Sequence, residues 1–411
     1  MTNLIFDLNN ILYRSMFIIG GFGKRQYTFD NKNEIDQLMR KITIDVAFLV
    51  RLINPNRVIF AVDSKSWRKD ITIEENDGYK SGRTRSEHIN WQNVFDCLKE
   101  FSEIMEANGF IITKIDGAEA DDIIAMWVDE LQLNQKQHVV SVSGDEDIRQ
   151  LVRTYRHVKE GPPASPEMIF STVFNPFMQG KNPSRKLYIP EMFNKWINTE
   201  DDVDIFNMSG SMDIDKIDFD RIMNGDRVKV EEVDGEHIIL KKIFCGDDGD
   251  NVPAIYSWIA RDNVGNVIIN KKTGEPRVDR ITNSKFQKII KETKIHFLNK
   301  DFLLDKSDDI KVVVEKISKE NPPFKMKDRL LRQMKLVLLD SSLYPKEILE
   351  KFNELKKEHL EKPRVNIGDV SMQSLLVGTR YIDEDYGGTT VGTNESSIFK
   401  EIDRINSKKL F

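Results

Sequence analysis

The chain has 411 residues, of which 39% are hydrophobic, so it is long and apolar enough for two or three domains with packed cores. The formal charge of -6 does not by itself indicate a nucleic-acid-binding protein, although acidic motifs can hide basic surfaces in that sum. Two cysteines without ligand spacing, no apolar run of membrane-spanning length and no basic N-terminal segment exclude a disulfide scaffold, a membrane span and a signal peptide. We therefore expect a soluble, cytoplasmic protein without membrane contact, and we expect it to be a monomer.

The N-terminal part of the chain alternates short apolar strands with periodic helices. Strands are predicted at residues 3–7, 57–63, 110–113 and 138–143. Helices are predicted from residue 9, over residues 35–52 and 91–108, and around residues 148–152. Apolar strands that alternate with helices are typical of a parallel α/β sheet with both faces covered.

Aspartates follow the predicted strands. Asp7, Asp63 and Asp145 each occupy the carboxyl end of a strand, where ligands bind in open α/β sheets. A single aspartate in such a place is often a turn or helix-cap residue. Three of them at one edge of one sheet are hard to tolerate without divalent cations. Oxygen ligands favour Mg²⁺ or Mn²⁺ over zinc.

A second acidic group opens the helix that includes residues 123–128. Glu119 and Asp122 lie three residues apart and share a helix face, with Asp121 beside them. Each like-charged pair costs about 4 kcal/mol at roughly 4 Å and an effective dielectric of about 20. The helix N-terminus offsets only about 1 kcal/mol. The alternative is that these acids simply open a helix.

Residues 161–243 show poor periodicity and are punctuated by proline and glycine at their start. We interpret them as an insertion with no visible chemistry, ending in a hairpin near residues 227–240. The glycine-lined turn that follows contains Asp247 and Asp250. It lacks the glycine and glutamate spacing of a calcium-binding EF-hand loop, which leaves an ordinary polar turn as the alternative to a metal site.

Six motifs follow one another along the chain: Asp7 with Tyr13-Arg14, Val62-Asp63, Tyr79-Lys80-Ser81-Gly82-Arg83, Glu119-Ala120-Asp121-Asp122, Gly144-Asp145-Glu146-Asp147 and Gly246-Asp247-Asp248-Gly249-Asp250-Asn251-Val252-Pro253. In these motifs and their order the chain resembles the structure-specific 5′-nucleases, the family of flap endonucleases and of the 5′→3′ exonuclease domain of bacterial DNA polymerase. The resemblance covers residues 1–155 and 244–340. Residues 64–70 and the spacing around Asp250 most resemble the ribonuclease H of T-even bacteriophages.

The resemblance implies an α/β, PIN-like 5′-nuclease fold, with a mostly parallel central sheet flanked by helices and a helical DNA-binding subdomain. The catalytic domain would comprise residues 1–160 and 244–255, with an arch at about residues 64–100. Residues 161–243 would be the insertion, residues 256–362 the duplex-binding subdomain, and residues 363–411 a flexible C-terminal tail.

The resemblance also implies two Mg²⁺ or Mn²⁺ ions and phosphodiester hydrolysis. The first ion would be held by Asp7, Asp63, Glu119, Asp121 or Asp122, and Asp145, and the second by Asp147, Asp247 and Asp250. Two such cations neutralise the phosphodiester, make hydroxide available near neutral pH and stabilise the leaving 3′ oxygen. The implied activity is removal of RNA primers and 5′ flaps during DNA replication, on branched DNA and RNA–DNA duplexes.

Basic residues complete the implied site. Lys80 and Arg83, three apart and thus neighbours on a helix, would clamp the phosphate as catalytic residues, and Arg14 is a weaker candidate for the same electrostatic role. In the basic stretch 271–294, Lys285 and Lys288 are candidate duplex-phosphate contacts. The alternative for these lysines and arginines is a solvated basic surface. Trp67 either stacks on an unpaired base or packs into a neighbouring helix.

The tail is rich in glycine, serine and threonine and ends in a short apolar tip. We hypothesise that it docks on a sliding clamp or a single-strand-binding protein; the alternative is a segment folded back on the body. Two other functions stay open, a PIN-type ribonuclease and a non-catalytic binder of branched DNA. The residues beyond 253 argue against the first, and the complete set of acidic positions argues against the second. A haloacid dehalogenase-type phosphatase would need an aspartate where Asn9 stands.

Overall fold

Eight strands among the described residues form one sheet, in a computed structural model that describes residues 2–20, 27–53, 55–73, 78–158, 166–176, 185–190, 228–295 and 299–361. The strands are β1 (Thr2–Asp7), β2 (Arg57–Val62), β3 (Ile111–Lys114), β4 (His138–Val142), β5 (Arg153–Val158), β6 (Pro166–Asn175), β7 (Arg185–Pro190) and β8 (Val228–Val233). Their order is β3-β2-β1-β4-β6-β7-β8, and β5 pairs with β6 outside this path.

The sheet is mostly parallel, as the sequence predicts. β3, β2, β1, β4 and β6 run in one direction, whereas β5 and β7 run antiparallel to β6. The register pairs Phe6 with Phe60 on one side and with Val142 on the other. The carboxyl ends of β1, β2 and β4 therefore meet at one edge, which we call the carboxyl edge.

Ten helices lie in the described ranges. They are α1 (Leu8–Ile19), α2 (Lys32–Ile53), α3 (Trp91–Ala107), α4 (Ala120–Asp129), α5 (Gly235–Cys245), α6 (Asn283–Thr293), α7 (Lys300–Asp305), α8 (Ser307–Ser318), α9 (Met326–Val337) and α10 (Lys346–Glu361). Side chains cap several of them: Asp7 accepts the N–H of Asn10 at the start of α1, and Asp234 accepts the N–H of His237 at the start of α5. None of these helices is long and apolar enough to cross a membrane.

Helix α4 carries the apolar run that the sequence shows after the acidic group, and it is buried against the sheet. Trp127 is fully buried, donates its indole N–H to the Thr113 hydroxyl at 3.0 Å and meets the Phe352 ring edge-on at 5.2 Å. A second core lies among the helices after β8 and includes Phe244, Phe286 and Leu330. These two cores are formed by different parts of the chain.

The interpretation of residues 161–243 as an insertion stays a prediction, although one detail of it is wrong. In the described part of this segment, β6, β7 and β8 extend the central sheet, and the predicted hairpin at 227–240 is wrong. β8 pairs in parallel with β7, and α5 begins at Gly235 because the Asp234 side chain caps it. The tail, together with residue 362, lies outside the described residues.

A two-stranded ribbon precedes the helices of the C-terminal part. β9 (Ser257–Ile259) pairs antiparallel with β10 (Val278–Arg280), and the chain between them turns twice. The sequence predicts a helical duplex-binding subdomain over residues 256–362, and this ribbon is a non-helical part of that range. The exposed glycines Gly265 and Gly274 both have positive φ, so they mark these turns.

Replacing Trp127 with alanine should lower the free energy of unfolding by about 3–5 kcal/mol, because a cavity would open between α4, the sheet and α10. Urea unfolding measures this loss. Val312→Ala is the control, since Val312 is 49% exposed and its truncation should change stability by less than about 0.5 kcal/mol. Equal losses for the two variants would contradict the assignment of Trp127 to the core.

Candidate active site at the carboxyl edge

The strand-end aspartates are held by specific donors at the carboxyl edge. Asp7 is 5% exposed, and its second carboxylate oxygen accepts the Ser143 hydroxyl at 2.8 Å. Asp63 accepts the N–H of Ala120, the first residue of α4, at 2.7 Å. Asp145 accepts the N–H of Asp147 at 2.9 Å. The ends of three strands and the start of α4 thus carry their acids to one place.

These acids penalise each other's ionisation. Burial raises the pKa of Asp7 to about 7, and the charges of Asp63 and Asp145 add to this rise. Burial also raises the pKa of Asp121 well above its usual range, again with help from Asp145 and Asp7. The pKa of Asp147 rises to about 6 through burial and the charge of Asp145, although Lys242 opposes the rise. The carboxyl edge is therefore a site where negative charge is concentrated and only partly compensated.

The structure separates the two aspartates that the sequence could not. Asp122 is fully buried, and both of its oxygens accept from the guanidinium of Arg68, at 2.9 and 2.7 Å. Asp121, one residue away and so rotated by about 100° around the helix, lies close enough to Asp145 and Asp7 for their charges to add to the rise that burial causes in its pKa. Both aspartates lie near strand-end acids, since burial and nearby charges, that of Asp122 among them, raise the pKa of Asp63. Asp122 is the one that Arg68 binds, and which of the two would coordinate a metal ion stays a prediction.

Lys80 and Arg83 reach the acids from a turn, which corrects the prediction that they project from a helix. Lys80 has a positive φ of 55°, and its ammonium lies 2.6 Å from Glu119 and 3.6 Å from Asp250. Arg83 bonds the other oxygen of Asp250. Both basic side chains therefore stand at the acids that the sequence assigned to two different motifs.

Tyr79 joins the same two acids. Its buried hydroxyl lies 3.0 Å from a Glu119 oxygen and 3.1 Å from an Asp250 oxygen. Burial raises the pKa of Glu119, but Lys80, Arg68 and the Tyr79 hydrogen bond outweigh it and the pKa is lowered. Glu119 is consequently ionised and fixed in place.

Lys242 is a site residue that the sequence interpretation missed. Its ammonium, on α5, lies 2.6 Å from Asp247 and also bonds Asp147. Burial raises the pKa of Asp247, but the hydrogen bond and charge of Lys242 outweigh it and the pKa is lowered. The available signal was its position one helical turn before Gly246, which places it beside the acidic turn.

Two glycines allow the acidic turn to approach this edge. A Cβ at Gly246, which has a φ of +76°, would lie 2.4 Å from the Val252 carbonyl oxygen. A Cβ at Gly235, the first residue of α5, would lie 2.9 Å from the Val152 carbonyl oxygen. Helix α5 therefore packs directly on the backbone that follows β4, whereas Gly246 lets the acidic turn close on itself.

The remaining candidates lie elsewhere. Lys285 donates to the Arg280 carbonyl at 3.0 Å and sits 4.3 Å from the Trp258 ring, while Lys288 pairs with Glu292 at 3.7 Å. Arg14 is partly buried on α1. The Trp67 ring lies 6.0 Å from the Tyr344 ring and packs on the core beneath α4. For Trp67 the packing alternative is the one observed.

The donor chemistry of the carboxyl edge suits a divalent cation. No group of three or more acidic, histidine or cysteine side chains in the described ranges is arranged, as it stands, to hold a metal ion. Lys80, Arg83 and Lys242 balance part of the charge instead. The raised pKa values of Asp7, Asp121 and Asp147 nevertheless report oxygen donors whose repulsion a bound cation would relieve.

Asp7→Asn should stabilise the metal-free protein at pH 8. The pKa of Asp7 is raised in the folded state, so its ionisation favours unfolding and stability is lost as the pH rises from about 4 through about 7. The loss is on the order of 4 kcal/mol, and the variant avoids it. Urea unfolding in EDTA at pH 5 and pH 8 measures the difference between variant and wild type.

Asp116→Asn serves as the control for this measurement, because Asp116 is exposed. It should leave the pH dependence of stability as it is in the wild type. A gap between Asp7→Asn and the wild type that is the same at both pH values would show that ionisation of Asp7 is not what destabilises the fold.

Comparison with known proteins identifies the N-terminal part of the chain. The family described as 5'-3' exonuclease, N-terminal resolvase-like domain, matches residues 2–172. A search of curated proteins gave no match.

Several solved structures have a similar chain trace. The T5 D15 protein co-crystallised with metal ions has 17% identity and a TM-score of 0.49, over 88% of this chain and 100% of that one. A variant of the bacteriophage T5 D15 flap endonuclease, in a pseudo-enzyme-product complex with DNA and metal ions, has the same values. T5 5'-exonuclease with bound zinc has 18% identity and a TM-score of 0.48, over 88% of this chain and 99% of that one.

No residue role in this protein rests on these structural similarities. The match includes β1 to β5 and most of β6, and with them the strand-end aspartates, α4 and residues 64–100. The resemblance drawn from the sequence motifs is confirmed for this part. Residues 2–172 therefore resemble the N-terminal, resolvase-like domain of the 5'-3' exonuclease family.

Proposed function

We propose that this protein is a Mg²⁺-dependent 5′-nuclease that hydrolyses phosphodiesters in branched DNA, removing 5′ flaps and RNA primers during replication. The observation that carries the proposal is the concentration of ionisation-hindered carboxylates at the carboxyl edge of an exonuclease-family domain, with Lys80 and Arg83 beside them. The protein would act in the cytoplasm of the cell in which replication takes place, as a monomer.

The family resemblance divides the acids into two groups. The first comprises Asp7, Asp63, Asp121 and Asp145 with Glu119, and the second comprises Asp147, Asp247 and Asp250. Each group would hold one Mg²⁺ or Mn²⁺. When bound, the two cations would neutralise the phosphodiester, lower the pKa of the attacking water and stabilise the leaving 3′ oxygen.

The chain's own cations would bind and orient the scissile phosphate. Lys80 and Arg83 contact the carboxylates from the predicted arch, residues 64–100. Their charged groups would therefore lie beside a phosphate that binds at this edge. Charge-assisted donors in such a place stabilise the charge that develops on phosphate oxygens in the transition state. Ser143 and the N–H of Ala120 keep the Asp7 and Asp63 carboxylates oriented.

The duplex part of the substrate would lie along the region after Pro253, where Lys285 and Lys288 on α6 would contact phosphates without reading sequence. The C-terminal tail would dock on a sliding clamp or a single-strand-binding protein, as its composition suggests. RNA–DNA duplex ends would be substrates as well as flapped DNA. These assignments follow the family resemblance together with the basic composition of residues 271–294.

Asp121→Asn and Asp145→Asn should each reduce cleavage by more than about 100-fold while sparing DNA binding, since even the partners behind metal ligands are worth about 10–100-fold. The assay follows a 5′-labelled flap in Mg²⁺, with EDTA as the blank, and binding is measured separately in Ca²⁺. Asp248→Asn is the matched control. Asp248 lies in the same acidic turn but is exposed and pairs with Arg280 at 2.6 and 2.8 Å, so its loss should leave cleavage unchanged.

Two outcomes would replace the proposal, and a third would change its set of metal ligands. Wild-type binding of flapped DNA without Mg²⁺-dependent cleavage would make the protein a non-catalytic branched-DNA binder. Preferential cleavage of single-stranded RNA would make it a PIN-type ribonuclease. Activity of either acid variant within about tenfold of wild type would remove that residue from the ligand set.

Lys80→Ala should slow single-turnover cleavage by about 10²–10³-fold and weaken flap binding by much less, because its ammonium acts on charge that develops in the transition state. Rapid-quench kinetics at saturating enzyme give the first quantity, and anisotropy in Ca²⁺ gives the second. Lys69→Ala, which removes an exposed lysine at the arch base, is the control. A larger effect on binding than on the single-turnover rate would make Lys80 a docking contact.

A further inference from the structure

Arg68 is a buried arginine whose role the acidic motifs leave unassigned. It lies in the short 3₁₀ helix Trp67–Asp70 at the base of the arch, and only 2% of it is exposed. An arginine is rarely buried to this extent unless its charge is paired. Its contacts therefore indicate what the surrounding structure requires of it.

The guanidinium grips the first turn of α4. Nη1 and Nη2 donate to the two oxygens of Asp122 at 2.9 and 2.7 Å, and Nη1 also lies 3.4 Å from Glu119. Such a two-pronged contact fixes direction as well as distance, because the fork and the carboxylate are both planar. A lysine ammonium would supply the charge without the fork.

The same carboxylate closes the start of the helix. The N–H of Glu119 donates to the Asp122 side chain at 3.1 Å, and the Glu119 side chain accepts the N–H of Asp122, which is a capping box. Asp122 is thus bound both by Arg68, which lies outside the helix, and by the capping box in the first turn of the helix. The rotation of α4 about its axis is set at this point, and with it the direction of Asp121.

Arg68 is itself anchored on both sides. The N–H groups of Trp67 and Ser64 donate to the carbonyls of Gly117 and Ala118 at 2.7 and 3.0 Å, which ties the segment after β2 to the segment before α4. The third guanidinium nitrogen, Nε, donates to the carbonyl of Lys335 near the end of α9 at 3.2 Å. That carbonyl is one of the last four of α9, which have no partner within the helix.

We propose that Arg68 is a positioning residue that locks the rotation of α4, so that Asp121 faces Asp7 and Asp145 while Asp122 does not, and that couples this lock to the end of α9. The inference rests on the proposed function, because it assigns Asp121 to the first metal group. A buried ion pair is often no more stabilising than apolar side chains of the same volume. The value of the pair therefore lies in geometry.

The chain offers a matched control in Arg153. Arg153 bonds Asp129, the last residue of the same helix, and donates to Gln132 just beyond it at 2.8 Å. It therefore holds the opposite end of α4, away from the acids. If the effect of Arg68 were a general loosening of the helix, Arg153→Lys would reproduce it.

The test compares Arg68→Lys and Arg153→Lys with the wild type in full-length protein. Mn²⁺ binding without DNA is measured by electron paramagnetic resonance and calorimetry, thermal unfolding is recorded in EDTA, and kcat and KM are measured on flapped DNA. We expect Arg68→Lys to weaken Mn²⁺ binding by about 10-fold or more, to lower kcat at fixed Mg²⁺ and to change KM by less than about twofold. Arg153→Lys should bind Mn²⁺ as the wild type does.

Unchanged Mn²⁺ affinity in folded Arg68→Lys, or equal weakening in Arg153→Lys, would overturn the positioning role. Should Arg68→Lys not fold, Arg68→Met combined with Asp122→Asn removes both charges together; in that variant wild-type Mn²⁺ affinity overturns the proposal and a loss of about 10-fold supports it. A wild-type protein that neither binds Mn²⁺ nor cleaves flaps would refute the nuclease function itself. A failed comparison between variants of an active enzyme refutes only the role of Arg68.

Discussion

The structure depends on one electrostatic constraint, the crowding of carboxylates at the carboxyl edge of a parallel sheet. Burial and mutual repulsion raise the pKa of Asp7, Asp121 and Asp147, while Glu119 and Asp247 are kept ionised by lysines beside them. The fold tolerates this because the acids are anchored to rigid strand and helix ends rather than to loops alone. The same anchoring holds the oxygens in place for a cation, so the cost to stability and the capacity for chemistry have one origin.

Much of this arrangement was accessible from the sequence. Apolar strands that end in aspartate predict where Asp7 and Asp63 lie, because a parallel sheet places all such ends at one edge. What the sequence could not decide was rotation: Asp121 and Asp122 are equivalent in pattern, and only the partner at Arg68, distant along the chain, distinguishes them. Lys80 and Arg83 were predicted as neighbours through helical spacing, yet a turn with a positive φ at Lys80 brings them together.

The wrongly predicted hairpin at residues 227–240 has a physical explanation too. Residues 161–243 lack periodicity as a whole, but β6 enters beside β4 and the later strands add outward from it, so local pattern counts for less than pairing with a sheet already formed. Lys242 was overlooked because a lysine on an amphipathic helix is usually a solvated residue. Its burial depends on where α5 docks, and that is a tertiary fact.

The close backbone contact at Gly235 has a consequence for changes in the length of the chain. Helix α5 is fixed against the carbonyls of Gln150 and Val152, and Lys242 and the acidic turn follow from it. The position of the acidic turn is therefore set by this contact and not by the length of chain that intervenes after β4. A change in the length of that intervening stretch that leaves the Gly235 contact in place would keep Lys242 and the acidic turn in register with the strand-end aspartates.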